Sequence, residues 1–171
     1  MATFFTRIVL FLSSYSPLFV LFAVKQYAHS HKIAYSFLAL SAFSLLILFA
    51  FIQTAKSLAS SKIVIKEHVA RDGDAMSYIV TYLVPFLDIK FTEFENIIGL
   101  GIIFFVLGIL YVNSNMVYMN PVLNLVGLHI FDTRTSDDRP LVLITRRSFL
   151  PSDVQLPVAL FGDYAGLEVK Q

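Results

Sequence analysis

IAYSFLALSAFSLLILFAFIQTA, residues 33–55, runs for 23 residues without a charged side chain and is closed by Lys32 before it and Lys56 after it. At about 1.5 Å per helical residue it reaches roughly 34 Å, enough to cross the hydrocarbon layer of a bilayer, which is about 30 Å thick. Composition agrees with that reading. Of 171 residues, 57% are hydrophobic and only 15% charged, and seventeen phenylalanines stand against twelve carboxylates. A mean hydropathy of +0.72 leaves too much apolar surface for a water-soluble fold to cover. Cysteine is absent, which excludes disulfides and thiolate metal ligands.

Working outward, three further apolar stretches come into view. Residues 8–24 are uncharged between Arg7 and Lys25 and span roughly 25 Å as a helix. The competing reading is a signal peptide, but Ser13, Ser14, Ser16 and Pro17 interrupt its apolar region and no small-x-small cleavage pattern follows. Residues 75–87 give 13 uncharged positions, which by length alone also suit a re-entrant segment or a buried core helix, and extend to 91 if Asp88 and Lys90 snorkel to the interface. Residues 97–119 give 23 more, stopped by Asn120-Pro121 because proline cannot continue the hydrogen-bond ladder.

Basic residues in short loops accumulate on the cytosolic side of a membrane. With four spans and the N-terminus inside, ten of the thirteen Lys and Arg residues fall on the cytosolic side, and only Lys25, Lys32 and Lys90 fall outside. The expectation is therefore an all-α membrane bundle of four transmembrane helices (8–24, 33–55, 75–91 and 97–119), with both termini cytosolic. Residues 56–74 form a cytosolic loop and 120–171 a small β-rich tail, giving an α+β chain overall.

Within the loop, residues 61–69 have strand composition, with a continuation of the preceding helix as the competing reading, and 71–74 form a turn into the next helix. In the tail, 123–131, 141–147 and 154–161 read as strands, with Pro157 suggesting an edge strand or a bulge. A tail of 52 residues without disulfides or metal is too small for a robust core of its own. The 56–74 loop, other subunits or a soluble partner have to complete it.

No Asp, Glu, Lys, Arg or His sits in the middle of a span, which disfavours proton relays and ion-coupled transport. Gly101 and Gly108 are seven residues apart and share a helix face, and with Ser36 and Ser41 they form the candidate seam for helix packing or homo-oligomerisation. Ser13, Ser14, Ser16 and Ser44 join them as candidates to line a polar pathway. His29 and His31 lack a third metal ligand, and Asp72, Asp74, Asp137 and Asp138 read as turn residues. There is no nucleophile elbow, Walker loop or zinc motif, so neither an enzyme nor a cofactor is expected. Arg134, Arg139, Arg146 and Arg147 are candidates to contact a partner or lipid head groups. Direct nucleic-acid binding is not expected of a tail with five basic and six acidic residues.

The order of the apolar runs, followed by Asn120-Pro121-Val122-Leu123-Asn124-Leu125-Val126-Gly127, His129-Ile130-Phe131 and Leu143-Ile144-Thr145-Arg146-Arg147, resembles the membrane subunit of the Kiwa anti-phage defence system. The resemblance implies a bacterial inner-membrane protein that forms a homo-oligomer, taken as a tetramer. It also implies that the protein detects phage at the envelope and works with a cytosolic DNA-binding partner. It carries over no catalytic residue. Two functional readings result: a membrane sensor and scaffold holding a soluble partner, and a small oligomeric pore that alters permeability.

Overall fold

The computed structural model describes residues 4–73, 77, 94–113, 120–161 and 164–169. Helices α1 (Phe4–Ser14) and α2 (Ser16–Tyr27) form a bent pair, α3 (His31–Ser57) follows, and β1 (Ser60–Ala70) comes next. After α4 (Phe94–Asn113) and the short α5 (Pro121–Leu125) come β2 (His129–Thr135), β3 (Pro140–Thr145), β4 (Val154–Leu160) and β5 (Ala165–Glu168).

The first apolar run is two helices bent by 41° rather than one rod. Ser13 and Ser14 turn their hydroxyls back onto the carbonyls of Leu10 and Phe11, and Tyr15 N donates to Leu12 O in a tightened turn. Pro17 then lies in the first turn of α2, where its missing N–H costs nothing. From the bend, α1 and α2 run antiparallel to α3, with Ser16 meeting Ser41 and Phe22 meeting Phe37. They are also antiparallel to α4: Arg7 donates to Val112 O at 2.6 Å, and Phe19 meets Phe104. The start of α1 and the ends of α3 and α4 therefore lie together.

Large apolar side chains along α3 and α4 stay exposed, among them Leu46, Phe49, Phe105 and Leu110. Among the described residues two helices, α3 and α4, are long and apolar enough to cross a membrane, or three if the bent pair counts as one span. This corrects the expected bundle of four transmembrane helices with a minor β tail. The 75–91 segment falls almost wholly outside the described residues, and the strands build a closed barrel instead of an appendage.

The barrel has the order β1-β2-β3-β5-β4 and closes by β4 pairing with β1. All neighbours are antiparallel except β3 and β5. The four strands of the tail lack a fifth, and the loop supplies it. Ser60 to Ile65 pairs with β4, and Ile65 to Ala70 pairs with β2. The register shift between Ile65 and Glu67 marks a bulge, which bends one long strand to serve two partners. Inside the barrel Ile65, Phe131, Leu143, Leu150, Leu156 and Val158 form a core, each burying an apolar side chain at about 1.5–3 kcal/mol.

Two local expectations change. The 123–131 stretch is not one strand, because Asn120 caps a helix there and Pro121 occupies its first position. That helix ends in a Schellman turn: Leu128 N donates to Leu123 O, Gly127 N donates to Asn124 O, and Gly127 takes φ +74°. Pro157 is not on an edge either, since β4 is flanked by β1 at Lys62 and by β5 from Val158 onward.

Candidate functional site

The barrel and the helices share one core. In β2 and β3 the pairs Phe131–Leu143 and Ile130–Ile144 are adjacent in register, so alternate residues point into the barrel and out of it. The outward row, Ile130, Ile144 and Leu167, is buried against the helices with Leu10, Phe11, Leu48, Ala55 and Tyr111. Phe161 at the end of β4 meets Phe51 of α3 edge-on, with centroids 5.3 Å apart.

A buried polar tie reinforces this junction. Asn120 is fully buried, and its Oδ1 accepts from Val122 N at 3.0 Å to cap α5. Its Nδ2 donates to Ser13 Oγ at 2.7 Å and to Leu10 O at 3.2 Å, reaching α1 more than a hundred residues away. Beside the same short helix, the residues just after β1 clamp the start of β2. Asp72 takes His129 Nδ1 at 2.6 Å on one oxygen and Ile130 N at 3.1 Å on the other, while Arg71 Nε donates to Asp132 at 2.8 Å. Asp72 is thus a clamp between segments; Asp74 lies outside the described residues.

The proposed helix seam divides. An added Cβ on Gly108 would lie 3.3 Å from the Phe11 ring, so Gly108 lets α1 and α4 approach closely. Gly101 has nothing within 4 Å of such an atom. Ser41 donates to Ser16 O across helices at 3.2 Å, whereas Ser36 is exposed and bonds back to Lys32 O in its own helix. Ser13, Ser14, Ser16, Ser41 and Ser44 are all buried within the chain.

The four arginines also separate. Arg134 and Arg139 belong to the exposed β2–β3 hairpin. The hydrogen bond from Arg134 to Asp138, with that carboxylate's charge and Glu67 beside it, holds the Arg134 guanidinium above its ordinary value. Arg146 and Arg147 instead line a cavity of about 410 Å³ at the end of β3, together with Lys56 from the last turn of α3 and Glu168 of β5. Leu128, Leu167 and Val169 supply its apolar wall. Arg147 is anchored there: Nε donates to Glu168 Oε1 at 2.7 Å, and its backbone N donates to Thr145 Oγ1 at 3.0 Å. Thr145 in turn donates to the other Glu168 oxygen. Lys56 and Arg146 make no ion pair among the described residues. Sequence reading found the arginine pair but missed Lys56 and Glu168, which only the barrel's closure brings alongside.

The family described as anti-phage protein KwaA matches residues 6–165, which takes in every helix and strand above except the first two residues of α1 and the last three of β5. The chain belongs to the KwaA family. The family is described as anti-phage, and the Asn120-Pro121 motif that carried the resemblance is the capped joint between α1 and the barrel. The Kiwa protein KwaA of Escherichia coli O55:H7 (strain RM12579 / EPEC) is 28% identical to it over 58 residues, 34% of this chain. That match spans 30% of the relative's length. No solved structure matches.

Proposed function

We propose that this KwaA-family protein is a sensor and scaffold subunit in the bacterial inner membrane, which assembles with copies of itself and recruits a cytosolic DNA-binding partner through its barrel. The observation that carries this reading is the shared core. Helices with lipid-suited exposed faces pack directly on a closed barrel, so displacement of a helix has to be accommodated by the barrel's outer row. Charge supports the side on which the barrel sits. Lys25 and Lys32 lie at the far end of the helices, whereas Arg7, Lys56 and the barrel's described basic residues lie at the barrel end, the pattern of a cytosolic face. No catalytic role is proposed for any residue.

Truncation after Met119 is a poor test, because it strips four of the five strands and leaves β1 without its partners. The better comparison is the full chain against R134A/R139A, which changes only the exposed hairpin. The detergent-solubilised chain should co-purify with one soluble protein in stoichiometric amount, and the complex should retain a duplex DNA oligonucleotide that the chain alone does not. Absence of a stoichiometric partner from cells making the full chain would reject the scaffold reading. Loss of the partner with R134A/R139A would place its contact on the hairpin.

A further inference from the structure

We propose that the cavity between the end of α3 and the β3–β5 edge binds a phosphate-bearing anion, with the phosphodiester of an anionic membrane lipid as the source its surroundings fit. Three cations, Lys56, Arg146 and Arg147, face one carboxylate, Glu168, around a cavity of about 410 Å³, a volume in the range of small-ligand sites. Both Glu168 oxygens are already engaged, by Thr145 and by Arg147 Nε. That leaves the terminal nitrogens of Arg147, the whole Arg146 guanidinium and the Lys56 ammonium for an incoming anion. A planar guanidinium held in place by a carboxylate and a backbone turn is preorganised for phosphate oxygens, and an unanchored arginine and a lysine complete the donor set. Lys56 also complements the negative end of the α3 dipole, but that role needs one positive charge and leaves the arginine pair unexplained.

The lipid source follows from what adjoins the cavity. Lys56 ends an apolar helix whose exposed Phe43, Leu46 and Phe49 lie in the turns before it. A phosphate held at Lys56 would therefore have its acyl chains alongside that exposed face. The wall formed by Leu128 and Leu167 suits the glycerol portion rather than a second charge. This inference rests on the membrane reading for the lipid source alone; the phosphate chemistry stands on the cavity.

The test uses the full chain purified in detergent, titrated with phosphatidylglycerol, with phosphatidylcholine of the same acyl chains, and separately with soluble glycerol phosphate. Bound species are read by native mass spectrometry. Phosphatidylglycerol should bind the wild type more tightly than phosphatidylcholine. K56Q and R146Q should each weaken it about fivefold and the double variant roughly 30-fold, at about one charge-to-surface contact per residue. R139Q, on the distant hairpin, should leave it unchanged. Glycerol phosphate binding with the same residue dependence, and no preference between the two lipids, would replace the lipid by a soluble phosphate. Equal binding of both lipids together with no glycerol phosphate binding overturns the proposal, as does an R146Q affinity equal to wild type. Arg146 has no partner among the described residues, so R146Q should fold even if K56Q does not. Flotation of the variants with liposomes reads membrane insertion independently, so failure of the site and failure of the membrane reading give different results.

Discussion

Asn120→Ala removes the polar tie between α5 and α1, and the geometry gives a magnitude. The cap on Val122 N at 3.0 Å is worth about 1 kcal/mol. The two bonds from Nδ2, to Ser13 Oγ and Leu10 O, are worth about 1 kcal/mol each in a buried aqueous-type core. They are worth about 0.6 kcal/mol each if the site behaves as membrane interior. The total loss should therefore be about 2–3 kcal/mol. Graded unfolding of the detergent-solubilised chain by SDS, followed by far-UV circular dichroism, measures it. Asn120→Ser keeps an acceptor that can cap α5 but has no Nδ2, so it should recover about 1 kcal/mol of the loss. The double-mutant cycle of Asn120→Ala with Ser13→Ala isolates the bond between the two side chains and should show a coupling of about 0.6–1 kcal/mol. An Asn120→Ala variant within about 0.5 kcal/mol of wild type, or a cycle that closes additively, would refute the claim that this asparagine joins the helices to the barrel.

Gly166→Ala should destabilise the barrel by about 1–3 kcal/mol in thermal melts, because the new Cβ would overlap Val158 Cγ1, with Leu160 also close; a neutral variant would mean that β4 and β5 give way easily. Gly127→Ala should cost roughly 1–2 kcal/mol in the same melts, since the Schellman turn requires φ +74° and no neighbour crowds the site, so steric overlap contributes nothing. Asp72→Ala should raise the amide hydrogen-exchange rate of Ile130 and weaken the barrel by about 1–3 kcal/mol, since Ile130 N and His129 Nδ1 both lose their acceptor; unchanged exchange at Ile130 would remove the clamp from the argument.

What the sequence made legible was local. Charge-free runs of helical length pointed to α3 and α4, because this signal needs no knowledge of partners, while the composition of 61–69 left strand and continued helix open and pairing with β2 and β4 decided for β1. What it hid depended on contacts between distant segments. That β1 closes a barrel with strands more than sixty residues away is fixed by pairing such as Ile65 with Val154 and Thr135, which no periodicity encodes. The same distance hid Lys56 beside Arg146, and Ser13 beside Asn120. In the 123–131 stretch the alternation of apolar residues suggested a strand, while Asn-Pro at one end and Gly127 at the other were capping signals that outweighed it. At Tyr15 the cluster of serines with Pro17 was visible, but whether it would merely soften the helix or split it was decided by serine hydroxyls taking backbone carbonyls.

On the proposed sensor and scaffold reading, the directions of the helices decide how a displacement among them would reach the barrel. Because α1 and α2 run against both α3 and α4, the start of α1 and the ends of α3 and α4 converge on the barrel, as the contacts Arg7–Val112 and Phe51–Phe161 mark. The barrel's outer row of Ile130, Ile144 and Leu167 is covered by residues from these converging ends and from α5, not by a single helix. A tilt or rotation of one helix relative to another therefore uncovers part of that row, and uncovered apolar surface costs about 25 cal/mol per Å². Close-packed interfaces answer such a cost by moving to a second packing, not by deforming smoothly. The joint carries two further constraints on that second packing: Asn120 ties α5 to α1, and Asp72 ties the exit of β1 to the start of β2. A rearrangement that keeps both ties has to be taken up where α4 meets α1, at Gly108 against Phe11, the aromatic contacts of Phe11 with Phe104 and Tyr111 and the Arg7–Val112 bond, and where α3 meets α2 through the single Ser41–Ser16 hydrogen bond.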